Sequence, residues 1–91
     1  MRIRWDENKR QIVLGKRTID FAQLEDLLLL PYVEDQRFDK TEQYRIIGFT
    51  KGRLVTFIVE YRIDELGTYL WVVTDWRSTN QEKRNYEEAT R

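Results

Sequence analysis

Two short stretches concentrate side chains able to act on a charged or aromatic ligand: Glu60-x-Arg62 and Tyr69-x-Trp71. Residues two apart in an extended chain share a face, so each stretch would present its pair on one side. Arg62, together with Arg45, could hold phosphates while Tyr69 and Trp71 stack bases. The same residues also suit a plain cross-strand ladder of aromatic, cation–π and ion-pair contacts, each worth roughly 0.2–1 kcal/mol. The 91 residues contain neither Cys nor His. That excludes a disulfide framework, a thiolate nucleophile, a zinc finger, an imidazole acid or base and a serine-type triad. Catalysis would have to use Lys, Arg, Glu, Asp, Tyr, Ser or Thr.

With 41% hydrophobic and 35% charged residues, four Gly and one Pro, the chain is too apolar for disorder and sized for one domain over residues 1–91. Sixteen basic residues balance sixteen acidic ones. This argues against a polyanion binder with a broad positive field and leaves room for a local basic patch. No apolar segment follows Met1-Arg2-Ile3-Arg4-Trp5-Asp6, and the longest aliphatic run, residues 27–30, falls far short of the roughly 18 residues of a membrane span. The expectation is a soluble cytoplasmic protein without membrane contact.

The elements that must position these residues begin with a helix capped by Asp6 and running to about Leu14, with Glu7 in its first turn and Gly15 taking the left-handed turn at its end. Asp20 and Gln23 resemble a capping box, followed at helical spacing by Phe21, Leu24, Leu27 and Leu28 until Pro31 stops the helix. Residues 32–43 lack a sustained period and read as a loop with at most one short extended piece. From Tyr44 onward, β-branched and aromatic residues predict strands at about 44–50, 54–63 and 69–76.

A Lys51-Gly52 turn pairs Gly48 with Val55, Ile46 with Phe57 and Tyr44 with Val59. A turn at 64–67 pairs Tyr61 with Leu70, Val59 with Val72 and Phe57 with Thr74. Both registers place Tyr44, Ile46, Val55, Phe57, Val59, Tyr61, Leu70 and Val72 on one apolar face. Arg45, Glu60, Arg62, Tyr69 and Trp71 fall on the other. A last helix begins at one of two overlapping capping boxes, Ser78 with Gln81 or Thr79 with Glu82. Its only apolar contributors are Tyr86 and Ala89, which predicts a mobile helix or one completed by a partner.

Several motifs, in order along nearly the whole chain, resemble the BrnT family of small toxins, whose fold is similar to that of the RelE ribonucleases. Trp5-Asp6-Glu7-Asn8-Lys9 resembles the family's W-D-x-x-K, and Lys16-Arg17-Thr18-Ile19-Asp20-Phe21 occupies the place of K-H-G-V-S-F. Residues 42–48 (EQYRIIG) resemble E-R-y-x-x-i-G. Gly52-Arg53-Leu54 opens a stretch ending at Arg62 like the family's G-R-L strand, and Ser78-Thr79, Glu82, Tyr86 and Glu87 resemble its terminal A-T-x-x-E-x-x-x-Y-E. The chain departs from the family at Arg17 and Thr18, which replace His and Gly, and at Gln43, which replaces Arg. Trp71 stands where a basic residue is common, and Trp76 takes the place of an Arg, with Arg77 one residue later.

The resemblance implies a RelE-like α+β fold, with two N-terminal helices packed on a three- to four-stranded antiparallel meander and a C-terminal helix. It also implies the toxin of a type II toxin-antitoxin pair, a metal-independent endoribonuclease that blocks translation by cleaving mRNA and is neutralised by a ribbon-helix-helix antitoxin. RNA cleavage of this kind needs deprotonation of a 2′-hydroxyl, stabilisation of the phosphorane and protonation of the leaving oxygen. Carried onto this chain, Arg62 and Arg77 are phosphate clamps, Lys16 a cation or base, Glu60 a base, and Tyr86 an acid or stacking group. Arg17, Arg45, Arg53, Tyr69 and Trp71 would bind RNA, free or on the ribosome, with no metal or cofactor. Against this stand a solvated Lys16 and Arg77, an Arg62 merely paired with Glu60, and a Tyr86 that only anchors its helix. The second reading is a catalytically weakened relative that binds a protein partner, motivated by the basic residues missing at 43, 71 and 76; an α+β domain of unrelated function is the third.

Overall fold

A computed structural model describes residues 1–91 as β1 (Arg2–Trp5), α1 (Glu7–Arg17), α2 (Gln23–Leu27), β2 (Tyr32–Gln36), β3 (Gln43–Thr50), β4 (Arg53–Asp64), β5 (Gly67–Arg77) and α3 (Asn80–Thr90). The class is α+β. Its sheet has five strands in the order β1-β5-β4-β3-β2 and is mixed, because β1 runs parallel to β5 while the remaining pairs are antiparallel. The expected three- to four-stranded antiparallel meander is corrected at both edges. β2 lies inside the stretch expected to be mostly loop; its charged residues suit an edge strand, where they discourage pairing with another chain.

Asp6 caps α1 as expected, its carboxylate accepting from the Lys9 N–H at 2.9 Å. The helix continues through Gly15, and Thr18 takes the left-handed position (φ 57°) instead. Half of the Asp20–Gln23 box forms. Gln23 Oε1 accepts from the Asp20 N–H at 3.0 Å, while the Asp20 carboxylate turns to the Ala22 N–H and to Arg10. Phe21, Leu24 and Leu27 are fully buried and join Val13, Ile46, Val55, Phe57, Val59, Leu70 and Val72 in the core; burial of each large side chain stabilises by roughly 1.5–3 kcal/mol. At Gly48 a Cβ would stand 2.8 Å from Leu27 Cδ2, so the missing side chain lets α2 seat against β3.

Lys51 (φ 52°) and Gly52 (φ 74°) close the β3–β4 hairpin in the left-handed conformation that its turn demands, and the three expected pairs across it are present. In the β4–β5 hairpin Tyr61 faces Leu70 and Val59 faces Val72, but Phe57 faces Asp75 rather than Thr74. Val73 is the extra residue of a β-bulge that separates the Ile58–Thr74 and Val59–Val72 pairs. Beyond the bulge the strand is turned over relative to an unbroken register. Asp75 and Arg77 therefore lie on the core face opposite Phe57 and Val55, and Trp76 lies on the other face opposite Thr56.

α3 covers part of that other face and is held by polar groups rather than an apolar stripe. Glu82, only 4% exposed, accepts from Thr56 Oγ1 at 3.0 Å, Trp76 Nε1 at 3.0 Å and the Thr79 N–H at 2.8 Å. Of the two overlapping capping boxes, the Thr79–Glu82 box is the one that forms. Farther along, the Tyr86 ring meets Phe49 edge-on at 5.5 Å and its hydroxyl donates to the Pro31 carbonyl at 3.1 Å. The expectation of a weakly anchored last helix is corrected by this network.

Candidate functional site

The sheet separates the residues singled out in the sequence into two groups. Near the β4–β5 turn, Arg62 pairs with Tyr69 and Glu60 with Trp71 in the strand register. The Arg62 guanidinium lies 4.3 Å from the Trp71 ring centroid and donates to Glu60 Oε1 at 2.7 Å, while Gln43 Nε2 donates to Glu60 Oε2 at 3.3 Å. The Arg62 contact, aided by Gln43, holds the Glu60 carboxyl below its usual range against the opposing effect of desolvation, which makes it a poor base. Tyr69 is buried, and Arg2 and Arg4 lie 5.3 and 5.0 Å from its ring centroid. Asp64 takes both cations, accepting from Arg2 at 2.6 and 3.0 Å and from Arg4 at 3.3 Å; the Arg2 contact pulls its carboxyl down to about 2. Arg45 is held by Asp35 at 3.0 Å and lies 3.7 Å from Glu82. Each charge here has a partner, and each ring has a cation over it: this is the cross-strand ladder.

At the opposite end of the sheet, around the β3–β4 turn, the cations are free. Arg17, Lys51, Arg53, Arg77 and Lys83 take part in no ion pair, whereas Arg2, Arg4, Arg10, Arg37, Arg45 and Arg62 all do. Arg53 and Arg77 line two concavities at once. The first, about 480 Å³, opens between the turn and α3 and is also lined by Phe49, Ser78, Lys83, Tyr86 and Glu87. The second, about 280 Å³, lies on the helix-covered side with Arg17, Thr18, Gln23, Thr50 and Lys51. The bulge makes this sharing possible, since it brings Arg77 opposite Val55 at the margin of the core face.

Arg17 reaches this end for a topological reason. β1 stops pairing at Val72, so the outer edge of β5 is open beyond that residue, and its carbonyls need donors. Arg17 supplies one, donating to the Asp75 carbonyl at 2.8 Å, and donates also to the Thr74 hydroxyl Oγ1 at 3.0 Å. The Asp75 side chain, two residues deeper than Arg77 on the same face, is fully buried with no hydrogen-bond partner for either carboxylate oxygen. Burial pushes its carboxyl up to about 7; Arg17 opposes the rise and Asp20 adds to it.

Of the ten residues proposed from the sequence, Arg17, Arg53, Arg77 and Tyr86 converge around the β3–β4 turn. Lys16 is exposed in the last turn of α1 and lines neither concavity. Glu60, Arg62, Tyr69 and Trp71 belong to the far ladder, with Arg45 between. Val55 faces Arg77, and the strand from Val55 to Arg62 spans roughly 23 Å, so Arg62 and Arg77 do not clamp one phosphate. Sequence reasoning missed Lys51, Lys83 and Asp75 and gave Glu87 no chemical role; the spacing of Lys83 three residues before Tyr86 and four before Glu87 on one helix was the available signal for two of them. No group of three or more metal-ligating side chains is present, and no helix is long and apolar enough to cross a membrane. No family model matches the chain, and no curated protein matches it.

Proposed function

We propose that this chain is a RelE-like toxin of the BrnT type, a metal-independent endoribonuclease that cleaves mRNA in the cytoplasm and is neutralised by a cognate ribbon-helix-helix antitoxin. The observation carrying this reading is the cleft between the β3–β4 turn and α3, where the unpaired cations Arg53, Arg77 and Lys83 meet Tyr86 and the carboxylate of Glu87. In that cleft Glu87 takes the proton of a 2′-hydroxyl, whose oxygen attacks the adjacent phosphorus. Arg53 and Arg77 stabilise the charge gathered on the phosphorane. Lys83 protonates the 5′ oxygen as its bond to phosphorus breaks, leaving a 2′,3′-cyclic phosphate and a 5′-hydroxyl. Tyr86 and Phe49 give the cleft an aromatic wall for a base, and the ribosome is one platform on which the message could be held.

The test is incubation of purified protein with mRNA, with and without ribosomes, in chelator. Cyclic-phosphate ends that disappear in the Arg53→Ala/Arg77→Ala double variant support the reading; intact RNA in both settings overturns it. A second reading, a catalytically weakened module that binds a protein partner, is favoured by the three positions where the family is basic. Gln43 is buried against Glu60, Trp71 lies under Arg62 and Trp76 donates to Glu82, so all three serve the fold.

A further inference from the structure

The second concavity at the β3–β4 turn is distinct from the cleft beside α3. Four cations line it, Arg17, Lys51, Arg53 and Arg77, and no carboxylate does. Neutral donors are interspersed: Thr18, Gln23 and Thr50 lie on the same wall, with Gln23 Nε2 donating to Thr50 Oγ1 at 3.3 Å. The wall is also built rather than loose. Arg17 is fixed by its contacts to β5, and Lys51 sits in the two-residue turn. Its volume of about 280 Å³ suits one tetrahedral oxyanion with its attached group rather than an extended ligand.

One of these cations, Arg17, is also bound to the backbone of Asp75, whose carboxylate is buried and without a hydrogen-bond partner. The charged groups acting on it are Arg17 from the end of α1 and Asp20 from the segment that follows, the latter held by Arg10 at 2.8 Å. Arg77 ends β5 two residues on, on the same face, and the β4 residue opposite Asp75 is the uncharged Phe57. An anion in the concavity and an ionised Asp75 would therefore draw on one cation, Arg17.

We propose that this concavity is a binding site for a phosphate group, and that the bound group competes with ionised Asp75 for Arg17. The site needs no turnover, so it stands or falls separately from RNA cleavage. Two sources share the chemistry: the terminal phosphate of a mononucleotide and the backbone phosphate of an RNA strand.

The experiment follows backbone amide shifts of Thr18, Gln23 and Thr50 through Arg53 by NMR during titration with sodium sulfate, a 5′-mononucleotide and a short 2′-O-methyl RNA. Sulfate is the reference because it remains a dianion from pH 6 to 8. Saturable shifts on these amides are expected, with affinity about tenfold lower after loss of one charge-assisted contact in Arg17→Gln or Lys51→Asn. The Lys51 variant suits the left-handed turn and guards against misfolding of the Arg17 variant. Sulfate affinity should fall severalfold between pH 6 and 8 in the wild type and stay level in Asp75→Asn. Tighter binding of the mononucleotide than of the RNA supports a terminal phosphate as ligand, and the reverse supports a backbone phosphate. Absent or non-saturable shifts, an affinity in both cation variants unchanged from wild type, or a wild-type affinity indifferent to pH would overturn the proposal.

Discussion

The two ends of the sheet hold the same kinds of side chain and use them in opposite ways. At the β4–β5 end Arg62, Glu60, Trp71, Arg2, Arg4, Tyr69 and Asp64 are closed on one another. At the β3–β4 end Arg17, Arg53, Arg77, Lys51 and Lys83 have no carboxylate partner. Arginine over tryptophan beside glutamate looks like a ligand site in sequence, yet its charge is already spent on the fold. The difference teaches that availability, rather than residue type, distinguishes a site from a brace. Exposed, partly screened ion pairs contribute little each, but they remove the charge from service.

The largest effect should come from removing the anchor that holds α3 beside the open end. Glu82→Ala leaves Trp76 Nε1 and the Thr79 N–H without their acceptor and Thr56 with Ser78 alone, and urea unfolding should show a loss of about 3 kcal/mol. Next, if the open end is the working one, Arg53→Ala/Arg77→Ala should lower RNA cleavage by at least about 100-fold, close to 2.7 kcal/mol of barrier, with an unchanged melting temperature. Retained cleavage in that variant would erase the contrast between the ends.

A third change probes the buried carboxyl under the open end. Asp75 keeps its proton up to about pH 7 in the folded chain but only to about 3.8 when unfolded. The native state thus binds more protons across that window, and stability falls as pH rises through it, then stays low. Asp75→Asn should abolish this fall and be roughly 2 kcal/mol more stable than wild type at pH 8. Asp64, Asp20 and Glu60, whose carboxyls are depressed by Arg2, Arg10 and Arg62, act oppositely and only below about pH 5, so denaturation at pH 6 and 8 isolates Asp75. The smallest effect belongs to the closed end: Arg62→Ala should cost about 1 kcal/mol of stability and leave cleavage unaltered. A large loss of cleavage would show that the ladder is a site after all.

Three strands and both hairpin turns could be read from the sequence because alternation and the Lys51-Gly52 pair fix a register without tertiary information. The bulge could not, since Val72-Val73 is a continuous apolar pair in which no alternation marks the extra residue. That single residue decides the face of Asp75, Trp76 and Arg77, and hence the composition of the open end. β1 has no counterpart in the sequence reading and β2 only the one short extended piece allowed within residues 32–43, because short, charged edge strands carry little apolar signal. The anchoring of α3 was missed for a related reason: hydrophobic patterning does not register a helix whose buried contact is a glutamate. Arg17, Arg53, Arg77 and Tyr86 could be named beforehand, but their lack of carboxylate partners is a property of three-dimensional arrangement alone.

The parallel pairing of β1 with β5 also constrains the order in which the molecule can be assembled. Arg2 lies against Tyr69 and is tied to Asp64, so the contacts of β1 span most of the chain. Contacts of such long range are slow to form, because loop closure precedes any gain from them. During synthesis β1 emerges long before its partner and waits unpaired while the two hairpins fold by local contacts. β1 is therefore expected to dock after the hairpin core, with its amides gaining hydrogen-exchange protection later than those of β3 and β4.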